Sequence, residues 1–269
     1  MKYFLFILLL TFSKISYAID NPWDRPLPFK NATVEYKVEG SMQGSKTVYI
    51  RESGRESAEY SDLSMSMFGM KQQQKELVIT TPDWVYHIDF LKQNGTKQTN
   101  PLKYFKQEFE ALSKSEQKTV VENAEKTGMN MVAGMQGEVQ KNAATLHGYK
   151  CDLTKVMGSE VYSISGTGFP LKMVSNVMGI KQKEEVIKLD KSKPPAAKFE
   201  VPKGVKITVN HEADKMAQQQ AKEVIQHLLK GENPDKGAVN RDAYQQDPDN
   251  ELSPEQQQQL QQMMKMFGQ

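Results

Sequence analysis

Residues 31–51 read NATVEYKVEGSMQGSKTVYIR, and their pattern is repeated along much of the chain. Val34, Tyr36 and Val38 alternate with charged residues, which is the period of a strand with one buried face. Residues 47–51 are β-branched and aromatic enough to form a second strand, and residues 40–45 predict the turn between the two. The stretch therefore predicts two neighbouring strands of one sheet.

Short strands of the same kind are predicted at regular intervals on both sides of a helical pair. They cover residues 55–60, 75–80 and 84–90, then a strand from about 138, and residues 149–153, 161–165, 171–177, 183–189 and 205–209. Asn94-Gly95 predicts a hairpin turn before one more short strand. Many short, evenly spaced strands favour an antiparallel sheet or an open barrel.

The helical pair lies between the two sets of strands. Asn100 followed by Pro101 is typical of an N-cap and first helical residue. Ser113 and Glu116 have the spacing of a capping box and start a second helix. That helix is predicted to end at Gly128.

The chain divides into residues 1–18, a strand-rich body at 19–209 and a polar, glutamine-rich extension at 210–269. The extension predicts a helix over 212–230 that ends at Gly231, and then a polar, acidic linker. A last short helix begins at Ser253-Pro254. Its apolar stripe consists of Leu260, Met263, Met264 and Phe267. Such a stripe suits a groove on an envelope protein partner, or docking on the protein's own body, and both interpretations remain open.

Residues 1–18 read MKYFLFILLLTFSKISYA and match a secretory signal peptide. Lys2 gives the positive start, a short apolar run follows, and Ser16-Tyr17-Ala18 is a small-x-small cleavage site. Lys14 interrupts the apolar run well before the roughly 20 residues that a membrane span needs. We therefore expect a protein of the Gram-negative periplasm that is not an integral membrane protein.

Charge and composition exclude several classes of protein. The 35 Lys and Arg residues, less Lys2 and Lys14, equal the 33 Asp and Glu residues, so no general attraction to nucleic acid follows. Hydrophobic residues make up 38% of the chain, which permits a packed core. A single cysteine excludes an internal disulfide framework.

No catalytic motif or cofactor site is evident, so we expect a protein that is not an enzyme. Cys151 follows His147 by four residues, but four residues along a strand separate side chains by about 13 Å, and Cys151 is interpreted as a small buried hydrophobe. The four histidines are scattered without the spacing of metal ligands. Residues 247–251 only faintly resemble a calcium loop, because Leu252 stands where the loop needs glycine.

Methionine is the unusual feature of the composition. Met65, Met67 and Met70 surround Phe68, and further methionines cluster near 129–135 and 263–266. Thioethers pack adaptably against apolar ligands, and they are also soft ligands for Cu(I). Ordinary core packing, a lipid-facing lining and copper handling therefore remain open.

Three segments resemble an uncharacterised periplasmic family with the LolA/LolB-like fold, that of outer-membrane lipoprotein carriers. They are Gly148-Tyr149-Lys150-Cys151, the GFPLKM segment at 168–173 and the KFEVPKGV segment at 198–205. The resemblance covers residues 31–209. It implies a mainly β (α+β) protein, with a curved antiparallel sheet as an incomplete barrel and helices plugging the open side.

Proteins of this fold carry acyl chains or lipids in the concave face, so the resemblance implies an apolar ligand here. Arg51 and Arg55 are the candidates for the arginine that lipoprotein carriers use to hold their closed state. The candidate lining residues lie on predicted strands and in the methionine cluster. They are Val34, Tyr36, Met65, Met67, Phe68, Met70, Trp84, Tyr86, Ile88 and Met173.

Overall fold

The computed structural model describes residues 21–67, 70–134, 137–177 and 180–232. Their strands form one curved, unclosed sheet of twelve strands. In chain order these are β1 (Ala32–Gly40), β2 (Met42–Arg51), β3 (Glu56–Met67), β4 (Met70–Thr80), β5 (Trp84–Asp89), β6 (Asn94–Thr99), β7 (Glu138–Leu146), β8 (Tyr149–Val156), β9 (Ser159–Ile164), β10 (Pro170–Val177), β11 (Ile180–Asp190) and β12 (Lys206–Val209). The predicted fold class, a mainly β protein with an incomplete barrel, is confirmed.

The strand order is β12-β6-β5-β4-β3-β2-β1-β11-β10-β9-β8-β7. Two meanders, β1 to β6 and β7 to β11, therefore meet where β1 pairs with β11. All neighbouring pairs are antiparallel except β12 with β6, which is parallel. A connection over residues 191–205 carries the chain from β11 back to that edge.

The turn predicted at Asn94-Gly95 is wrong by a few residues. The turn between β5 and β6 spans residues 90–93, and Asn94 is the first residue of β6. The Asp89 side chain accepts hydrogen bonds from the backbone N–H groups of Leu91 and Lys92, at 2.8 and 3.1 Å. The chain therefore reverses in an Asx-type turn, in which the Asp89 carboxylate accepts from N–H groups two and three residues further along, and not at Asn94-Gly95.

Three α-helices occur among the described residues: α1 (Pro101–Glu110), α2 (Lys114–Gly134) and α3 (His211–Lys230). Two short 3₁₀ helices span Glu52–Gly54 and Ala196–Phe199. The predicted starts of α1 and α2 are confirmed. Asn100 Oδ1 accepts from the Leu102 N–H at 3.0 Å. The Glu116 carboxylate accepts from the Ser113 N–H at 2.8 Å. The predicted end of α2 at Gly128 is wrong, because Gly128 lacks the left-handed backbone of a C-cap glycine and the helix continues to Gly134. The predicted end of α3 is confirmed, because Gly231 has a left-handed backbone with φ 69°.

The helices pack on one another and reach strands near both edges of the sheet. Phe109, Val120, Ile225 and Leu228 form their shared core, one or two from each helix. α3 contacts β6, and α2 contacts β7 and β8. α3, which begins the predicted extension, therefore packs against α1 and α2 of the body and belongs to the same compact unit as the sheet.

Each face of the sheet buries its own apolar cluster. In the β1–β6 half, the strand register defines a row of paired residues that crosses the sheet from β1 to β5 and lies on one face. The row consists of Val34, Val48, Glu59, Val78 and His87. We call the face that bears Val34 and Tyr36 the pocket face, and the face that bears Tyr86 and Ile88 the opposite face. The opposite face is covered by the chain itself, through Phe199, Val201, Val205 and Ile207.

Candidate functional site

A cavity of about 280 Å³ opens on the pocket face of the sheet. Strands β1, β2, β3 and β11 form its floor, and the segment before β1 and the start of β10 form its sides. It is lined by Leu27, Tyr36, Lys46, Val48, Ile50, Gly54, Ser57, Glu59, Phe169, Pro170 and Glu184. The volume is close to the lower limit of about 300 Å³ that is usual for small-molecule pockets.

The lead-in before β1 supplies one wall of this cavity. The Leu27 N–H donates to the Ser53 carbonyl at 2.7 Å, which fixes the Leu27 side chain beside Gly54. Gly54 has φ 96°, and a β-carbon there would lie 3.1 Å from the Leu27 side chain. The positive φ favours glycine at this position, and the absence of a β-carbon leaves room for the Leu27 side chain.

One lysine and two glutamates lie in the cavity wall among apolar side chains. Lys46 Nζ lies 2.9 and 3.1 Å from the two carboxylate oxygens of Glu184. It lies 3.3 Å from one oxygen of Glu59. Burial opposes the charged form of Lys46, but the two carboxylates outweigh it, and the pKa of the ammonium lies above its ordinary value.

Tyr36 closes the floor beside this group. Its hydroxyl donates to the Pro170 carbonyl at 2.9 Å, which ties β1 to β10 across β11. Burial raises the pKa of the Tyr36 phenol far above its ordinary value, and the carboxylates of Glu184 and Glu59 raise it further. The phenol is therefore a permanent donor, and its ring is a fixed apolar wall.

The predicted lining residues lie on both faces of the sheet. Tyr36 lines the cavity, and Val34 is fully buried in the core next to it. Met173 pairs with Glu184 across β10 and β11 and is half-buried. Tyr86 and Ile88 belong to the cluster on the opposite face. Trp84 shares that face and is 36% exposed, with the Lys97 ammonium 3.7 Å from its ring centre.

The methionine cluster is only partly within the described residues. Met65 pairs with Met42 across β2 and β3, and its side chain is half-buried. Met67 and Met70 pair across β3 and β4. Phe68 lies outside the described residues, as do Leu260, Met263, Met264 and Phe267 of the predicted last helix.

Cys151 is fully buried, as a small hydrophobe would be. Burial raises the pKa of its thiol. His147 lies in the turn between β7 and β8, with φ 49°, and not on a strand with Cys151 as the sequence suggested. One of its ring nitrogens lies 2.9 Å from the Val186 carbonyl.

The two candidate arginines lie outside the cavity lining. Arg51 pairs with Glu56. Its guanidinium lies 3.9 Å from the centre of the Phe199 ring. Arg55 pairs with Asp24 at 3.6 Å. Each arginine is therefore already engaged by another part of the chain.

Sequence reasoning missed the Lys46, Glu59 and Glu184 group. A signal was present, because Lys46 has the same strand parity as the apolar Val48 and Ile50. A charged residue at an inward-facing position of a strand suggests a paired charge or a binding site. The partners could not be found this way, since Glu184 lies 138 residues from Lys46.

These features define the class of protein as a β-sheet scaffold with a small, mixed apolar and charged cavity on one face. Within the described residues, no helix is long and apolar enough to cross a membrane. Over the same residues, no group of three His, Cys, Asp or Glu side chains is arranged as metal ligands would be.

Comparison with known proteins yields only distant structural similarity. No family model matches the chain, and no curated protein matches it. An uncharacterized conserved protein from Thermus thermophilus is 10% identical, with a TM-score of 0.39, over 67% of this chain and 91% of that one. MucB is 11% identical, with a TM-score of 0.35, over 70% of this chain and 63% of its own. A structure of MucB in complex with MucA(peri) is 10% identical, with a TM-score of 0.33, over 71% of this chain and 58% of that one.

Proposed function

We propose that this protein is a non-enzymatic binding module of the bacterial cell envelope that holds an apolar chain in the cavity on its pocket face. The observation that carries the proposal is the cavity itself, because Leu27, Val48, Ile50 and Phe169 give it apolar walls. Each methylene group buried against such walls contributes about 0.8 kcal/mol to binding. An acyl chain or lipid tail is the ligand class that uses this surface.

The wall also carries polar groups that are fixed in place. Tyr36 is held by its bond to Pro170, and Lys46 is held by two carboxylates. Pockets for small ligands commonly combine apolar walls with a few positioned polar groups that orient the ligand. The chain would therefore enter with its polar end near Lys46.

The test is to fill the cavity and measure binding of an uncharged apolar fluorophore, N-phenyl-1-naphthylamine. Ser57 lies in the lining and is half-buried, so Ser57→Phe places a ring in the cavity. Ser64→Phe is the matched control, because Ser64 is exposed on the same strand, β3. We expect Ser57→Phe to weaken binding about tenfold or more and Ser64→Phe to leave it unchanged. Equal binding by both variants would contradict the proposal.

The cellular address is proposed from the sequence of residues 1–18, which has the three parts of a signal peptide. Cleavage after Ala18 leaves Ile19 as the first residue. Mass spectrometry of the protein from a periplasmic extract should find that N-terminus. Recovery of the chain with Met1 still attached would refute the proposed address.

A further inference from the structure

The cavity has an excess of negative charge. Of the residues that line it, only Lys46, Glu59 and Glu184 carry full charges. Two carboxylates and one ammonium leave a formal charge of −1. Lys46 stays protonated across the neutral range, because the carboxylates raise its pKa. The Lys46 ammonium therefore formally balances only one of the two carboxylates that face it.

The two carboxylates are not equally occupied. Glu184 offers both of its oxygens to Lys46, at 2.9 and 3.1 Å, and its side chain is 17% exposed. Glu59 approaches Lys46 with one oxygen at 3.3 Å, and its side chain is 40% exposed. A carboxylate has about four acceptor positions, so Glu59 retains the capacity to accept from a second donor.

We infer that the ligand carries a protonated amine beside its apolar chain, and that Glu59 is the residue that receives this amine. The inference rests on the proposed function, because it assumes that the apolar part enters the same cavity. A ligand carboxylate would add a third negative charge beside Glu59 and Glu184. A ligand ammonium would instead donate a charge-assisted hydrogen bond to Glu59, which already pairs with Lys46. The partly desolvated walls strengthen both the repulsion of a ligand carboxylate and the attraction of a ligand ammonium.

The experiment compares three probes with the same twelve-carbon chain: dodecylamine, dodecanol and dodecanoate. Each probe is titrated into the full-length protein at neutral pH, below its critical micelle concentration, and the displacement of bound N-phenyl-1-naphthylamine gives its affinity. We expect dodecylamine to bind at least about tenfold more tightly than dodecanoate, with dodecanol between them. Dodecanoate binding as tightly as dodecylamine would overturn the inference and leave the proposed function standing. If none of the three displaced the fluorophore, the proposed function would fail and the inference with it.

A pair of variants assigns the preference to Glu59. Glu59→Gln removes one charge but keeps the shape of the side chain, and we expect the amine-to-carboxylate ratio to fall by about tenfold. Glu160→Gln is the matched control, because Glu160 also pairs with a lysine, Lys155, on strands outside the cavity. An unchanged ratio in Glu59→Gln, with its thermal unfolding like that of the control, would remove Glu59 from the site.

Discussion

Asn100 connects a helix start to a neighbouring turn through one buried side chain. Its Oδ1 caps α1 by accepting from Leu102, and its Nδ2 donates to the Thr81 carbonyl at 2.7 Å. Only 6% of the residue is exposed, so solvent cannot replace either bond. We expect Asn100→Ala to lower the free energy of unfolding by about 2 kcal/mol, as measured by urea denaturation.

Two comparisons separate the roles of Asn100. Asn100→Ser keeps an oxygen that can cap α1 but loses the amide donor to Thr81, so its effect should lie between the wild type and Asn100→Ala. Asn176→Ala, at an exposed position, should stay within about 0.5 kcal/mol of the wild type. A loss in Asn100→Ala no larger than that in Asn176→Ala would show that the cap contributes nothing measurable.

Asp152 on β8 connects β7 with the turn that follows β9. Its Oδ1 accepts from the Asn142 N–H at 2.9 Å and from the Ser165 hydroxyl at 2.7 Å, and Lys141 lies 3.2 Å from Oδ2. Burial opposes ionisation of Asp152, but these groups outweigh it and hold the pKa below its ordinary value of 3.8.

A carboxyl with a lowered folded-state pKa stabilises the fold above its unfolded-state pKa and loses that contribution as the pH falls. We therefore expect Asp152→Ala to cost about 1–3 kcal/mol at neutral pH. The difference from wild type should shrink as the pH falls below 3.8. Chemical denaturation at a series of pH values measures this. A difference that stayed constant down to the acid transition would count against the charged role of Asp152.

At the scale of the element, α2 and α3 use glycine in opposite ways. Gly128 lies inside α2 with a helical backbone, and a β-carbon there would meet nothing within 4 Å. Gly231 ends α3 with φ 69°, which is costly for any residue with a β-carbon. We expect Gly128→Ala to raise stability by about 0.5–1 kcal/mol and Gly231→Ala to lower it by about 1 kcal/mol.

Thermal melts of the two variants check this pair directly. Both substitutions add the same methyl group, so their opposite signs isolate the backbone conformation as the cause. A β-carbon on Gly231 would lie 3.6 Å from the Asn123 side chain, which is an ordinary contact and not a clash. Melting temperatures that change in the same direction in both variants would disprove the explanation by backbone conformation.

At the scale of the whole molecule, α3 connects the helical cluster to the sheet. Asp214 accepts from the Thr99 N–H at 2.6 Å at the end of β6. Ile225, 3% exposed, packs with Phe109 and Val120. We expect Ile225→Ala to lower the free energy of unfolding by about 2–4 kcal/mol. Met216→Ala, at a position 45% exposed on the same helix, should change it by less than about 0.5 kcal/mol. Denaturation curves followed by tryptophan fluorescence and by circular dichroism give the free energy of unfolding of each variant. An equal decrease in the two variants would contradict the role of Ile225.

Local patterns predicted much of the fold because their causes are local. The alternation at Val34, Tyr36 and Val38 identified β1, and all three side chains are buried. Asn100 and Ser113 identified helix starts, because capping satisfies N–H groups within a few residues. Gly128 was misinterpreted as a helix end, because a glycine ends a helix only when its backbone is left-handed, which composition does not reveal.

The candidate site was less predictable, because it depends on which strands become neighbours. Alternation placed Tyr36 and Tyr86 each on an apolar face, but only the register through β2, β3 and β4 shows that those faces are opposite. The sequence by itself determined most strands and the starts of α1 and α2, and it predicts a signal peptide, since each depends on residues close together in the chain. The tertiary structure decided the cavity and its charge, because β1 pairs with β11 and thereby brings Glu184 to Lys46 across 138 residues.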